Sequence, residues 1–301
     1  MSAFDGIDPN VAAAHQQEMA AGRRFGFGRN WRNFARRVDE DAITQAEESL
    51  LDLLSLERVT HGALRGLTFL DAGCGSGIFS LAALRQGAQV TAFDFDPDSV
   101  RTTRALIALH HGGDGGGEVL HGSVLDERFL ATLDEFDVVY SWGVLHHTGA
   151  MWDACRNVAR RVCPGGKLVI ALYADVGFVS RVWWAIKRVY VGLPSFLQIP
   201  FATLLLLPIE LVALVRSLLR LDPLSYGRRW IRYRSLRGMS RWHDHLDWIG
   251  GFPYEYSSRE ETVEFFAALG FELERAVPAV AWGNNEFVFR RVGAVTTPGE
   301  P

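Results

Sequence analysis

The stretch of this chain best suited to chemistry is a glycine-rich loop that directly follows an acidic residue. Residues 69–79 read FLDAGCGSGIF, in which Asp71 ends a short apolar run and Gly73, Gly75 and Gly77 follow at every second position. Glycines there let the backbone approach a ligand closely. The free N–H groups at the start of the following helix favour an anionic group. Asp71 stands where it can bind an ammonium group on the same ligand.

A second acid ends the next apolar run. Asp94 closes the segment 90–94, 19 residues after Gly75. In doubly wound sheets, an acid about 20 residues beyond such a loop accepts hydrogen bonds from ribose hydroxyls. Phe95 follows directly and is placed to pack on an adenine face. Together these residues predict a site for an adenosine ligand that carries an amino acid.

The glycine spacing weighs against a dinucleotide site. The dinucleotide fingerprint is G-x-G-x-x-G, which places the third glycine at position 78 when it is counted from Gly73. Ile78 stands there, and the glycines instead follow G-x-G-x-G. A nicotinamide or flavin site, and a turn without any ligand, are therefore the less favoured interpretations.

Alternating strand and helix patterns surround the loop. Between residues 67 and 173, short apolar runs alternate with helical patterns, which is typical of a parallel sheet covered by helices on both faces. The pattern resumes with a capping-box spacing from Ser258 to Glu261, a helix and two last strands. We therefore predict an α/β fold with a doubly wound, mostly parallel seven-stranded sheet. A helical insert precedes its last helix and two strands.

The loop resembles the first motif of class I S-adenosylmethionine-dependent methyltransferases. Asp94 matches that family's second-strand acid, and residues 136–147 resemble the fourth-strand region of its quinone-methylase-like members. Residues 163–168 resemble the turn before the family's fifth strand. The resemblance is close over residues 67–173 and loose over residues 258–291. It implies a Rossmann-like methyltransferase fold and S-adenosyl-L-methionine as the cofactor.

The resemblance also implies which residues hold the cofactor. The glycines of the loop hold its methionine part, and Asp94 holds its ribose. Many relatives place an acid after the third strand for the adenine amino group. Here Ser123 stands at that position and Asp126 follows three residues later, so both remain candidates. The predicted cofactor contacts are Asp71, Gly73, Cys74, Gly75, Ser76, Gly77, Asp94, Phe95, Ser123, Val124 and Ser141.

With this resemblance, the patterns divide the chain into five segments. We expect an N-terminal helical lid, the cofactor-binding sheet domain, a helical insert that caps the substrate site, the last helix with two strands, and a flexible tail. The bounds are 1–66, 67–173, 174–256, 257–292 and 293–301. Within the lid, residues 23–34 are basic and aromatic with two glycines, which predicts a loop rather than a packed helix.

Methyl transfer from a sulfonium is an in-line displacement that needs alignment, exclusion of water and, for a hydroxyl acceptor, removal of a proton. It requires no metal. His146 is the favoured base because it follows the fourth strand and an unperturbed His has a pKa of about 6.5. The alternative is that His146 and His147 only pack against the cofactor. The predicted catalytic candidates are His146, His147, His243 and Tyr173.

The segment around His243 supports two further interpretations. His243 and Asp247 are spaced to share one helix face, either as a base with its orienting acid or as a surface pair. The spacing His243-x-His245-x-Asp247 also resembles part of a binuclear metal motif. Trp248 stands where that motif needs a further His, so we predict no metal.

The acceptor is expected to be a small molecule, either anionic or aromatic. Its predicted contacts are Trp31, Trp142, Arg237, Tyr254 and Asn285. The first hypothesis is O-methylation of a phenolic, enolic or carboxyl oxygen, and the second is C-methylation of a quinol-like ring. The non-enzyme alternative is a cofactor-binding protein that docks a membrane or a partner through the insert.

The insert contains a long apolar run followed by an arginine-rich segment. Residues 196–219 fit helices of a lid, a helix lying on a membrane surface, or a membrane-spanning helix. Residues 228–241 fit a solvated face, an anionic pocket or an RNA contact. The net charge is only −4 and the pI is near 6.1, so we predict no nucleic-acid partner. Peripheral membrane contact and the oligomeric state stay open.

Cysteine usage bears on the compartment. The sequence holds three Cys with no framework spacing, which is typical of a reduced, cytoplasmic protein.

Overall fold

The computed structural model describes most of the chain. The described residues are 6–56, 62–111, 117–219, 222, 241–280 and 283–293. The predicted tail lies outside them from residue 294 onward.

A seven-stranded sheet forms the centre of the structure. Its strands are β1 (Thr68–Ala72), β2 (Gln89–Asp94), β3 (Glu118–His121), β4 (Phe136–Trp142), β5 (Val162–Tyr173), β6 (Phe271–Val277) and β7 (Asn284–Arg291). They lie in the order β3-β2-β1-β4-β5-β7-β6. The first five pair in parallel, and β7 is antiparallel to both of its neighbours. The predicted mostly parallel seven-stranded sheet is confirmed.

Helices cover both faces of the sheet, as the alternating pattern predicts. The described helices are α1 (Pro9–Ala20), α2 (Gly28–Ala35), α3 (Glu40–Leu53), α4 (Ile78–Arg85), α5 (Pro97–His110), α6 (Glu127–Leu130), α7 (Met151–Ala159), α8 (Phe178–Gly192), α9 (Ser195–Leu219), α10 (Arg241–Gly250) and α11 (Arg259–Ala268). One apolar core joins α3, α4 and α5 to the sheet, and a second joins α7 and α11 to it.

The strand order fixes where a ligand can bind. The chain leaves β1 toward β2 on one side, whereas β4 pairs with the other side of β1. In open α/β sheets, a crevice forms outside the carboxyl ends of the strands where the order reverses in this way. The glycine loop after β1 therefore lies at this switch point.

The prediction of a loop over residues 23–34 is confirmed for 23–27 and wrong from Gly28 onward, where the chain forms helix α2. No side chain of its own caps the first turn of this helix. Instead the Gly28 N–H donates to the carboxylate of Asp96 at 2.8 Å. An acid 68 positions away thus supplies an acceptor that the local sequence does not show.

Three described helices, α8, α9 and α10, lie between β5 and α11. They share a small apolar cluster in which Tyr190, Ala202, Leu206 and Ile249 are buried. The segment bounds proposed from the sequence stay a prediction.

Candidate active site

The glycine loop is fastened to the neighbouring strand. The Gly73 and Cys74 N–H groups both donate to the Phe93 carbonyl, at 2.8 and 3.0 Å. Gly73 and Gly77 have φ of +90° and +81°, in the region that favours glycine. Gly77 is the N-cap of α4, so the loop delivers the chain directly into the start of that helix.

Gly73→Ala is expected to abolish cofactor binding and to destabilise the fold by about 1–3 kcal/mol. A Cβ at position 73 would stand 2.4 Å from the Val144 side chain, in addition to the backbone strain. Gly165→Ala is the matched control, because its φ is +80° but nothing lies within 4 Å of the added Cβ. Calorimetry with S-adenosylhomocysteine and urea unfolding measure the two effects. Binding by the Gly73 variant equal to that of the control would contradict the prediction.

Two carboxylates, the buried Asp71 and the half-buried Asp94, lie at the ends of the strands beside the loop. Asp94 accepts the Gly75 N–H at 2.9 Å and the Asp96 N–H at 2.8 Å. Asp71 accepts the Ser80 hydroxyl at 2.5 Å. Burial raises the pKa of Asp71 to about 6 and the pKa of Asp94 to about 7. Both groups would gain from a ligand that brings a cation and hydroxyl donors to this crevice.

The raised pKa predicts that Asp71→Asn stabilises the ligand-free protein at alkaline pH. In the unfolded chain Asp71 ionises near 3.8, so stability falls as the pH rises from about 4 through the folded-state value of about 6. Asparagine keeps the acceptor for Ser80 and removes this cost. We expect a gain of about 1–3 kcal/mol above pH 7 and no gain below about pH 4.

Urea unfolding at several pH values measures this gain. Asp153→Asn is the control, because the Asp153 side chain is 68% exposed. The same Asp71 variant should bind S-adenosylhomocysteine more weakly. A stability difference that does not change with pH would contradict the burial argument.

A cavity of about 400 Å³ opens over the loop and both acids. Of the residues predicted to contact the cofactor, those that line it are Asp71, Gly73, Cys74, Gly75, Ser76, Asp94, Phe95, Ser123 and Val124. The Trp31 ring packs close to the glycine loop. A Cβ added at Gly75 would stand 3.2 Å from the Trp31 ring. Asp126 instead caps α6, which leaves Ser123 as the candidate at the adenine position.

The residues present fit S-adenosyl-L-methionine. The close approach of Trp31 and Val144 to the loop leaves no room for side chains on Gly73 and Gly75. Tyr140 also lines the cavity, and its buried hydroxyl has no hydrogen-bond partner among the described residues. A buried polar group of this kind indicates a polar partner on a bound molecule.

The N-terminal segment supplies a wall of the cavity, of which the sequence predicted only Trp31. His15, Arg24, Phe25, Phe27 and Phe34 line it. The Arg24 guanidinium lies 4.9 Å from the centre of the Phe95 ring, and it donates to the His147 carbonyl at 3.0 Å. The signal in the sequence was the interleaving of basic and aromatic residues around positions 23–34, which is common in walls of ligand sites.

The two adjacent histidines differ in their surroundings. His147 lines the cavity, whereas His146 does not and is 1% exposed. The His147 Nδ1 lies 2.6 Å from the Pro253 carbonyl, so Nδ1 carries the proton and Nε2 keeps its lone pair. The His146 Nδ1 accepts the Tyr173 N–H at 3.3 Å. Burial lowers the pKa of His147 to about 3 and that of His146 well below its ordinary value. Of the two predicted candidates, only His147 lines the cavity, and the catalytic role of either residue stays a prediction.

Several other predicted residues lie away from the cavity. Ser141 is buried and donates to the Ala72 carbonyl at 2.7 Å, so its hydroxyl ties β4 to β1 instead of meeting a cofactor. Tyr173 and Tyr254 pack on each other with ring centres 4.9 Å apart, and neither lines the cavity. The Asn285 side chain accepts the Ala279 N–H at 2.9 Å. None of these four residues lines the cavity, and their predicted roles stay predictions.

The remaining candidates are Trp142, His243 and Arg237. Trp142 lines the cavity and is 42% exposed, as expected of an acceptor contact. His243 lies on helix α10, but its side chain and that of Asp247 are outside the described residues. Arg237 also lies outside them. Among the described residues, no group of His, Cys, Asp and Glu is arranged to hold a metal ion.

Comparison with known proteins bears on the family. Residues 70–170 match the model of the methyltransferase domain family. Over these residues the chain is similar to class I S-adenosylmethionine-dependent methyltransferases. The resemblance drawn from the glycine loop is thus confirmed, and with it the predicted cofactor of the domain. The match covers the strands β1 to β5 almost entirely and ends before the insert begins.

The names of the relatives of this domain refer to different substrates. The chain is 36% identical over 121 residues to the mitochondrial ubiquinone biosynthesis O-methyltransferase of Schizosaccharomyces pombe, covering 40% of this chain and 43% of that protein. It is 33% identical over 119 residues to a tRNA U34 carboxymethyltransferase of Methylococcus capsulatus, covering 40% and 36%. The chain thus spans less than half of the length of these relatives. The cytoplasmic location inferred from cysteine usage stays a prediction.

This chain is similar in fold to the solved structure of the magnesium protoporphyrin IX methyltransferase of Synechocystis with bound SAH. It is 14% identical, the match covers 82% of each chain, and the TM-score is 0.48.

Proposed function

We propose that this protein is an enzyme that methylates an oxygen atom of a small molecule with S-adenosyl-L-methionine. The observation that carries the proposal is the joint placement of the glycine loop, Asp71 and Asp94 at the mouth of one cavity that also reaches His147. Relatives named as O-methyltransferases support oxygen as the acceptor atom.

The chain's own residues bind and orient the two reactants. Asp71 would bind the ammonium group of the cofactor, and Asp94 would bind a pair of its ribose hydroxyls. The glycine loop would hold the methionine part that connects these two groups. When it is bound, the cofactor supplies an activated methyl group on a good leaving group. The aromatic walls from Phe27, Trp31 and Phe34 exclude water from the cavity, which favours a displacement between aligned partners.

His147 is the group placed to take the proton of an acceptor hydroxyl. Its Nδ1 is committed to the Pro253 carbonyl, so Nε2 is the basic nitrogen. A low pKa keeps this imidazole neutral across the physiological range. As the new carbon–oxygen bond forms, the acceptor oxygen becomes positive and its proton strongly acidic. Even a weak base therefore suffices at that stage of the reaction.

The cavity walls favour an aromatic acceptor of moderate size. Trp31, Trp142 and Phe27 offer ring faces, while Tyr140 and Arg24 offer donors to an oxygen. A phenolic or enolic acceptor satisfies both features, and a carboxyl acceptor would pair with Arg24.

A transfer assay tests the proposal. The purified protein is incubated with methyl-labelled S-adenosyl-L-methionine and sets of phenols, enols, carboxylic acids and quinols. Label on the oxygen of an aromatic acceptor, stable to mild base, is the expected result. Label on a ring carbon would favour the C-methylation hypothesis instead. Tight binding of S-adenosylhomocysteine without transfer to any class would favour the non-enzyme alternative.

A further inference from the structure

The outer face of helix α9 is mostly apolar. Most of its exposed large apolar side chains are half or more exposed, and Arg216 near its C-terminal end is exposed with them. The apolar ones are Phe196, Leu197, Ile199, Leu204, Leu207, Leu211, Val212, Val215, Leu218 and Leu219. Soluble proteins rarely leave a contiguous apolar surface of this extent open to water. Within the described residues, this is also a helix long and apolar enough to cross a membrane.

Three polar side chains of α9 have partners within the protein. The Glu210 carboxylate lies 3.9 Å from His245 on α10. The buried Ser217 hydroxyl donates to the Asp222 carbonyl at 2.6 Å, and Gln198 donates to the Leu193 carbonyl at 3.1 Å. Of the exposed polar side chains, the Thr203 hydroxyl donates to the Ile199 carbonyl of the same helix, and Arg216 lies beside the arginine-rich segment in the sequence. That arrangement suits an apolar medium outside the protein.

The inner face of α9 is attached to the rest of the cap. Ala202 and Leu206 are buried against Tyr190 of α8 and Ile249 of α10. A helix that spans a bilayer is surrounded by lipid or by other spanning segments, whereas the neighbouring α8 carries the exposed Arg181 and Arg188 and the buried Lys187. The periodic burial instead fits a helix lying in the plane of the membrane surface, with one face in the acyl boundary.

The residues that follow α9 identify the kind of lipid. Between Arg216 and Arg241 the sequence holds eight Arg and one acid, Asp222. The chain as a whole carries a net charge of −4, so positive charge is concentrated next to the apolar helix. Each such Arg near an anionic membrane surface favours binding. A second copy of the chain would bring two arginine-rich segments of like charge to the same place.

We propose that the outer face of α9 is a membrane-docking surface that binds bilayers containing anionic lipids. The apolar side chains of this face enter the acyl boundary, and the positive charge of the following sequence favours anionic lipids. Phe25 of the N-terminal segment packs against the cluster beneath α9 and also lines the cavity, so the docked helix adjoins a residue of the cavity wall. Docking does not depend on the proposed methyl transfer.

Vesicle sedimentation with the full chain tests the proposal without cofactor or acceptor. The protein should sediment with vesicles of phosphatidylcholine and phosphatidylglycerol, and more weakly with phosphatidylcholine alone. Salt should reduce binding to the anionic vesicles without abolishing it. The double variant Leu204→Asp, Leu211→Asp should bind the anionic vesicles at least about tenfold more weakly, because two apolar groups leave the acyl boundary.

The matched control carries the same charges at exposed apolar positions elsewhere. Leu109 is 75% exposed on α5 and Val280 is 89% exposed after β6. Leu109→Asp, Val280→Asp should bind vesicles like the unmodified protein. Binding of S-adenosylhomocysteine by both double variants verifies that the fold is intact.

Three outcomes would overturn the docking surface. These are no sedimentation of the unmodified protein with anionic vesicles, equal loss of binding in both double variants, and self-association without lipid binding that the α9 variant abolishes. The last would assign the face to a second copy of the chain. Vesicle binding by a protein that transfers no methyl group would overturn the proposed function and leave the docking surface standing.

Discussion

His147→Asn is expected to lower the rate of methyl transfer to a hydroxyl acceptor by about 100- to 10,000-fold, the usual range for loss of a general base. Asparagine can still donate an N–H to the Pro253 carbonyl, which His147 contacts at 2.6 Å. The variant therefore removes Nε2 while it keeps the local anchor. Binding of S-adenosylhomocysteine should remain close to that of the unmodified protein.

His146→Asn is the matched control for this prediction. The Asn oxygen can accept the Tyr173 N–H that the His146 Nδ1 accepts. Because His146 does not line the cavity, its variant should lose much less activity. Steady-state rates with the acceptor found in the transfer assay measure both variants. A greater loss in the His146 variant would restore that residue as the base. No loss in either would show that the acceptor needs no proton removed.

The pH dependence separates the histidine from the carboxylates. The acidic limb of cofactor affinity should lie near pH 6–7, where burial places the pKa values of Asp71 and Asp94. Protonation below that range removes the charge that binds an ammonium group. The limb should persist in the His147 variant, because His147 stays neutral down to about pH 3.

Asp94→Ala is expected to weaken S-adenosylhomocysteine binding by about 10- to 150-fold, corresponding to about 1.5–3 kcal/mol for hydrogen bonds to a charged group. The carboxylate also accepts the Gly75 and Asp96 N–H groups, so its removal loosens the loop as well as the ribose contact. Isothermal titration calorimetry at pH 8 measures the affinity.

Asp153→Ala is the control for the Asp94 variant, since Asp153 is exposed on α7 and pairs only with Arg156 among the contacts found for its side chain. Affinity in the Asp94 variant within about twofold of the control would contradict the assignment of the ribose site. A loss confined to low pH would instead indicate that Asp94 is protonated when the ligand binds.

The sequence was sufficient to predict the sheet and the loop site. Strand and helix periods repeat locally, and the glycines and acids predicted to bind the cofactor fall at strand ends, where their spacing along the chain is fixed by the fold. The order of Asp71, the glycines and Asp94 therefore determines their proximity once the strands are parallel neighbours. The confirmed predictions are of this local kind.

The tertiary structure decided which side chains point into the cavity and which residues distant in the sequence contact each other. His146 and His147 are identical in type and adjacent, yet one is buried behind the cavity and the other lines it. Ser141 reads as a cofactor contact, but its hydroxyl meets the carbonyl of Ala72 on the neighbouring strand. Such differences depend on how tight turns rotate successive side chains, which no spacing specifies.

The N-terminal wall and the outer face of α9 depend on the tertiary structure for the same reason. The first turn of helix α2 is satisfied by Asp96, which lies 68 positions away and accepts the Gly28 N–H. Composition alone showed that residues 196–219 are apolar, whereas the packing of Ala202 and Leu206 decided which side faces outward. The sequence thus determined the methyltransferase core through local periodicity. Contacts between residues distant in the chain decided which side chains meet the ligand and which meet the surroundings.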